Sequence, residues 1–100
     1  MILDKQQALK VITENLVSGL QRLLLQSKLQ AVIDTLYGQG YAISQGPPQS
    51  NYAAMSLQES VQVVCQAAMM CGITMPIQQQ ATEGLSKLQR LGYVFVRRQK

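Results

Sequence analysis

The residues of this chain that could do chemistry are few and widely spaced. The carboxylates are Asp4, Glu14, Asp34, Glu59 and Glu83, and no two have the spacing of an acid–base pair or a metal-ligand set. Histidine is absent, which excludes Ser-His-Asp and Cys-His catalysis and any zinc site that contains histidine. No glycine-rich loop is spaced to hold a phosphate group. The sequence therefore predicts a protein that is not an enzyme, with no catalytic residue, metal or cofactor.

The two cysteines, Cys65 and Cys71, do not form a pair for redox or metal chemistry. They are six residues apart, so on a helix their Cα atoms would be about 9 Å from each other, too far for a disulfide. We expect two buried free thiols, which is typical of a reducing compartment. No secretory signal and no apolar stretch of about 20 residues is recognised. These observations predict a cytoplasmic protein that makes no contact with a membrane.

Positive charge is concentrated at the C-terminal end of the chain. The net charge is +4, and five basic residues follow Glu83 with no acid among them. These residues are candidates for contact with nucleic acid or an acidic partner, together with two glutamines that precede them. The alternative is a solvated edge that prevents strand-to-strand aggregation. The candidates are Gln78, Gln79, Lys87, Arg90, Arg97, Arg98 and Lys100.

Apolar residues at spacings of three and four predict four helices. The part before Gly38 is expected to form two helices, or one sharply bent helix, with the break between Ser18 and Lys28, where the apolar stripe changes phase. Asp4 with Gln7, and Ser56 with Glu59, have the spacing of capping boxes and predict the starts of the first and third helices. Thr74 and Pro76 predict the start of the fourth helix, which Gly92 ends.

The strand signals are short, and one of them recurs. Residues 41–44 alternate, and residues 93–97 are β-branched and aromatic, so one or two short strands are predicted. Each run begins at the tyrosine of a Gly-Tyr pair that follows a helix. This recurrence indicates an ααβ-ααβ pseudo-repeat with a period of 52 residues. We therefore predict a mainly α-helical, four-helix domain over residues 1–100, with a loop at 45–55 between its halves.

The segment around the fourth helix resembles part of a winged helix-turn-helix, over about residues 60–98. The resemblance rests on Gly72-Ile73-Thr74, and on Leu88-Gln89-Arg90-Leu91-Gly92 leading into a strand. It implies a helix over 74–91 that enters the major groove, with Arg97 and Arg98 on phosphates. The alternative for Gln78, Gln79 and Gln80 is a solvated polar face, which we prefer.

The apolar content is large for so few charges, and this points to self-association. Four methionines, Met55, Met69, Met70 and Met75, surround the third helix, and we expect them to fill the core more readily than to form a binding surface. Leu23, Leu24, Met69 and Met70 are the candidates for contact between copies. The preferred function is a regulatory or adaptor protein that binds another protein, as a homodimer. The alternative is a small DNA-binding regulator.

Overall fold

Four helices and three short strands make up the described part of the fold. The computed structural model describes residues 2–16, 22–72 and 77–99. Its elements are α1 (Lys5–Leu16), α2 (Arg22–Gly38), β1 (Tyr41–Gln45), β2 (Tyr52–Ala54), α3 (Leu57–Met70), α4 (Ile77–Arg90) and β3 (Tyr93–Arg98). The prediction of a mainly α-helical domain is confirmed, with three described strands instead of one or two.

The capping box at Asp4 forms in both directions, whereas Ser56 acts as an N-cap by the forward bond, and the two mark where α1 and α3 begin. The Ser56 Oγ accepts a hydrogen bond from the Glu59 amide at 3.1 Å. The Asp4 Oδ1 accepts from the Gln7 amide at 2.7 Å, and the Gln7 Oε1 accepts from the Asp4 amide at 3.3 Å. Each bond satisfies an amide that has no partner within its helix. Thr74 and Pro76, predicted to begin α4, lie outside the described residues.

The Ser56 cap leads to a stability prediction. Replacing Ser56 with Ala should lower the free energy of unfolding by about 1 kcal/mol, because the Glu59 amide loses its acceptor. Urea denaturation measures this change, and Ser50→Ala in the exposed loop before β2 is the matched control. If both variants unfold at the same urea concentration as the parent protein, the cap does not contribute to stability.

The sheet has β3 at its centre, with β1 and β2 on either side. Both neighbours pair with β3 in antiparallel fashion, with Ile43 opposite Phe95 and Tyr52 opposite Arg98. β2 lies inside the segment 45–55, so the prediction of one loop there is wrong and the true connection is residues 46–51. Three residues with two alanines carry too little strand propensity to be recognised without their pairing partner.

The connection 46–51 crosses the face of the sheet that points away from the helices. Since β1 and β2 are both antiparallel to β3, they are parallel to each other, and the chain between them must run the length of β3. Ser44 and Val96 face away from the helical core and are nevertheless fully buried. The Ser44 hydroxyl also donates to the Gly46 carbonyl at 3.3 Å. The connection therefore covers the outer face of the sheet.

The two halves are related by a pseudo-twofold axis between Ile43 and Phe95. These two residues face each other across β1 and β3, and they are also equivalent in a repeat of 52 residues. The Leu3 amide donates to the Ile43 carbonyl, and its equivalent, the Met55 amide, donates to the Phe95 carbonyl, both at 2.9 Å. The pseudo-repeat seen in the sequence therefore corresponds to equivalent hydrogen bonds.

The glycines that end the second helix of each half follow the same symmetry. Gly40 has φ +92° and Gly92 has φ +93°, a left-handed conformation that favours glycine. The Gly46 amide donates to the Gly92 carbonyl, and the equivalent Arg98 amide donates to the Gly40 carbonyl, both at 2.8 Å. Only six of the 48 aligned residue pairs are identical, so most positions tolerate different residues on the same backbone.

The core lies between the inner face of the sheet and the four helices. Ile43 and Phe95 contribute from the strands, and helix residues that are almost completely buried surround them. Those from the helices include Ile12, Ile33, Leu36, Val64, Leu85 and Leu88.

Candidate functional site

The outward face of α3 carries no charge over most of its length. Charged residues are absent from Ser60 to Gly72, and the exposed positions are occupied by Gln62, Gln66, Met69 and Met70. We call these four residues the α3 face. Met69 and Met70 are 73% and 71% exposed, which is unusual for large apolar side chains at neighbouring positions.

The equivalent face of α1 is charged. In the repeat of 52 residues, Gln62 corresponds to Lys10 and Gln66 to Glu14, and all four are exposed. The two helices have similar surroundings, because each is capped at its start by a side chain and packs on both α2 and α4. The fold therefore accepts charges at these positions, and their absence from α3 is not a requirement of packing.

Exposure of Met69 and Met70 corrects one prediction from the sequence. Met55 is buried, as expected, but Met69 and Met70 are not core residues, and Met75 lies outside the described residues. At 100° per residue, Met69 lies on the same side of α3 as Gln58 and Gln62. The exposure of Met69 could therefore have been predicted from the helical period. Leu91 in the turn after α4 is the other large apolar residue that is exposed in the described part of the chain, at 58%.

The first turns of α2 lie near the α3 face. The Lys28 Nζ donates to the Gly72 carbonyl at 3.5 Å, which brings the beginning of α2 to the end of α3. Leu23 and Leu24 precede Lys28 by about one turn, and their side chains lie outside what the structure describes. Two of the four candidates for self-association therefore lie in the first turn of α2, and two in the last turn of α3.

The cysteines are free, as predicted, but they are half-buried instead of fully buried. Cys65 lies at the border between the core and the α3 face, and burial raises the pKa of its thiol. A raised pKa favours the protonated thiol, which is a weaker nucleophile than the thiolate.

The outward face of α4 is polar and carries both signs of charge. Gln78, Gln79, Lys87 and Arg90 are exposed, and Glu83 lies among them. Gln80, which was expected on the same solvated face as Gln78 and Gln79, is half-buried. Several of these side chains line an open groove of about 400 Å³ between α4 and Asn15 of α1. Glu83 is the single carboxylate in the lining, so the groove does not hold a pair of acids for general acid–base chemistry.

Arg97 and Arg98 lie away from the basic residues of α4. Lys87 and Arg90 are in the last turn of α4, near the Tyr93 end of β3. Arg98 is at the other end, about 16 Å along the strand, where its amide donates to the Gly40 carbonyl. The candidate nucleic-acid residues therefore form two separate groups, and Lys100 lies outside the described residues.

β3 also differs from the wing that the helix-turn-helix resemblance implies. It is paired on both edges, and it carries the buried residues Phe95 and Val96. A wing projects from its domain to reach DNA, whereas β3 is the centre of a packed sheet. β3 therefore does not have the projecting position that the resemblance implies for a wing.

The described residues contain no cluster of three His, Cys, Asp or Glu side chains that could hold a metal ion. No described helix is long and apolar enough to cross a membrane. Comparison of the chain with protein-family models, curated proteins and solved structures finds no match.

Proposed function

We propose that this protein is a small regulatory or adaptor protein that works by binding other macromolecules, and that it forms a homodimer through the α3 face. The observation that carries the proposal is the pair of exposed methionines, Met69 and Met70, on a helix face without charges. Methionine is flexible and polarisable, so it suits surfaces that must pack against another surface.

The comparison between the two halves supports a binding role for this face. Gln62 and Gln66 stand where α1 has Lys10 and Glu14, although both helices are exposed on this side. Interface centres are depleted of charged residues and enriched in methionine relative to the rest of a protein surface. The differences between α3 and α1 follow this pattern.

A second copy of the chain is the partner that fits these properties best. In a symmetric dimer, residues near the twofold axis meet their own copies, so a charge there would face an identical charge. A different protein could supply the opposite charge, and a face that binds it would gain from keeping charges of its own. The chain has a net charge of +4, which also favours a neutral surface as the place where two copies meet.

The expected affinity is modest. Full burial of a methionine contributes about 1.5–3 kcal/mol, and a symmetric interface would bury four of them. Association itself costs about 4–15 kcal/mol, so these side chains give a dimer only together with the contacts around them. We therefore expect a weak dimer, in which the surrounding contacts decide the dissociation constant.

Sedimentation velocity over a range of micromolar concentrations tests this proposal. The parent protein should shift from monomer to dimer with concentration, and the double variant Met69→Glu with Met70→Glu should remain monomeric. Leu91→Glu is the matched control, because it places a charge on an exposed apolar position outside the α3 face. Thermal melts of all three proteins establish that each is folded.

Two results would overturn the proposal. One is a parent protein that stays monomeric at every concentration. The other is a double variant that dimerises as well as the Leu91→Glu control, since the interface would then lie elsewhere.

A further inference from the structure

Two arginines and two tyrosines lie together at one end of the sheet, and we call this group the Arg–Tyr end. Tyr41 of β1 is directly opposite Arg97, and Tyr52 of β2 is directly opposite Arg98. Side chains in such positions have Cβ atoms about 4.5–5.5 Å apart. Each arginine therefore lies beside a tyrosine of a neighbouring strand.

The two pairs lie on opposite faces of the sheet. Tyr41 packs against the helical core, so the pair with Arg97 is on the inner face. Successive residues of a strand alternate in direction, so Arg98 and Tyr52 are on the outer face. Both arginines are exposed and both tyrosines are half-buried, so each pair combines an exposed cation with a partly exposed tyrosine.

The charges of the Arg–Tyr end are not used within the described part of the chain. The ion pair found among the described residues joins Lys5 and Asp34 at 3.7 Å, and it includes neither arginine. An unpaired guanidinium group is well suited to phosphate, because a single arginine can bind it through two parallel hydrogen bonds.

The pseudo-twofold symmetry shows that the strand position of Arg97 accepts an uncharged residue. The position equivalent to Arg97 is Gln45, and the position equivalent to Arg98 is Gly46. The tyrosine of the inner pair recurs, since Tyr41 corresponds to Tyr93. The Arg97 position can therefore be compared with Gln45, a strand residue like itself, whereas Gly46 has φ +96° and lies outside the strand, so it does not bear on Arg98.

We propose that the Arg–Tyr end binds single-stranded nucleic acid, with Arg97 and Arg98 on the phosphates and Tyr52 stacking on a base. Cations that follow the backbone, together with aromatic rings on which bases stack, are the recurring means of binding single strands. An acidic peptide would use the charges and leave the aromatic ring without a role. A duplex keeps its bases stacked on each other, so it would not use the ring either.

This proposal does not rest on the homodimer, and a monomer would bind in the same way. The probe is a short fluorescent oligothymidylate, and the measurement is its anisotropy over a range of salt concentrations. The full chain should bind it with an affinity that falls as salt rises, because each neutralised phosphate releases counterions.

Two double variants separate a local site from a general effect of net charge. Arg97→Gln with Arg98→Gln should weaken binding at low salt and reduce the slope of log K against log salt by about 1.4, from about 0.7 per phosphate on a single strand. Lys87→Gln with Arg90→Gln removes the same charge from α4 and should change neither quantity. Equal losses in both variants would overturn the proposal.

The Tyr52→Leu variant tests the stacking role. It keeps the charges, so we expect a loss of about tenfold in affinity with the salt slope unchanged. Circular dichroism melts check that the variants are folded. No binding at low salt, tighter binding of a duplex of equal length, or equally effective competition by an oligoglutamate peptide would each overturn the proposal.

Discussion

Replacing Phe95 with Ala is expected to lower the free energy of unfolding by about 3–5 kcal/mol. Phe95 is 4% exposed and lies at the centre of β3, opposite Ile43 on the pseudo-twofold axis. Its ring faces the same cluster as Leu85 and Leu88 of α4, so the cavity left by its removal would open where the two halves meet. The tightly packed core around this position has little freedom to collapse into such a space.

Denaturation by urea, followed by circular dichroism, measures this loss. Domains of this size have a total stability of about 5–15 kcal/mol, so the variant should unfold at a much lower urea concentration and with reduced yield. Val94→Ala is the matched control, because Val94 is the preceding residue in β3 and is only half-buried on the other face. Equal losses in the two variants would show that the inner face of β3 is not the centre of the core.

The features that the sequence predicted correctly depend on residues close together in the chain. The side-chain caps at Asp4 and Ser56 join residues three apart, and the apolar stripe of each helix repeats within two turns. The Gly-Tyr pairs also mark both helix-to-strand turns, because a left-handed glycine ends the helix. Such signals are readable without knowledge of the rest of the fold.

The features that the sequence did not predict depend on pairing between distant residues. β2 is a strand only because Ala53 and its neighbours pair with β3, more than forty residues later. The crossing of residues 46–51 over the sheet follows from the same pairing, and the glycine and prolines of this segment indicated only a loop. Propensity alone does not reveal a strand whose stability comes from its partner.

The candidate interaction surfaces were predicted in part, for the same reason. Met69, Met70, Arg97 and Arg98 were recognised as residue types that could bind a partner. The argument that they form binding surfaces comes from comparing the two halves, because Gln66 is uncharged where α1 has Glu14, and Arg97 is charged where β1 has Gln45. The alignment that makes this comparison possible is fixed by the sheet register, since few residues are identical between the halves.

One tyrosine shows how the equivalent halves are stabilised differently. The Tyr37 hydroxyl donates to the Leu3 carbonyl at 2.9 Å and accepts from the Ile43 amide at 3.3 Å. It therefore joins α2 to the segment before α1 and to β1. The equivalent position is the exposed Gln89, so this bridge through a tyrosine is made in the N-terminal half and not in the C-terminal half.

The Tyr37→Phe variant should lose about 1–3 kcal/mol of stability at neutral pH, because the Leu3 carbonyl and the Ile43 amide lose a partner in a partly buried site. Gln89→Leu is the control, since it changes the equivalent and exposed position. Urea denaturation at pH 7 measures both. A Tyr37→Phe variant as stable as the control would show that water replaces the hydroxyl at no cost.

The same variant should change how stability depends on pH. Burial raises the pKa of Tyr37 in the folded protein, the Ile43 amide opposes this shift, and the charges of Asp4 and Tyr52 add to it. An unfolded tyrosine ionises near pH 10, so above that pH the unfolded state releases a proton that the folded state retains. The stabilisation is therefore complete below about pH 10 and is lost as pH rises through the folded pKa.

The raised pKa of Cys65 acts in the same direction in both proteins, so the informative quantity is the difference in unfolding free energy between the parent and Tyr37→Phe. This difference in unfolding free energy should be constant up to about pH 10 and should shrink above it, whereas a constant difference up to pH 11 would contradict the role of the buried hydroxyl.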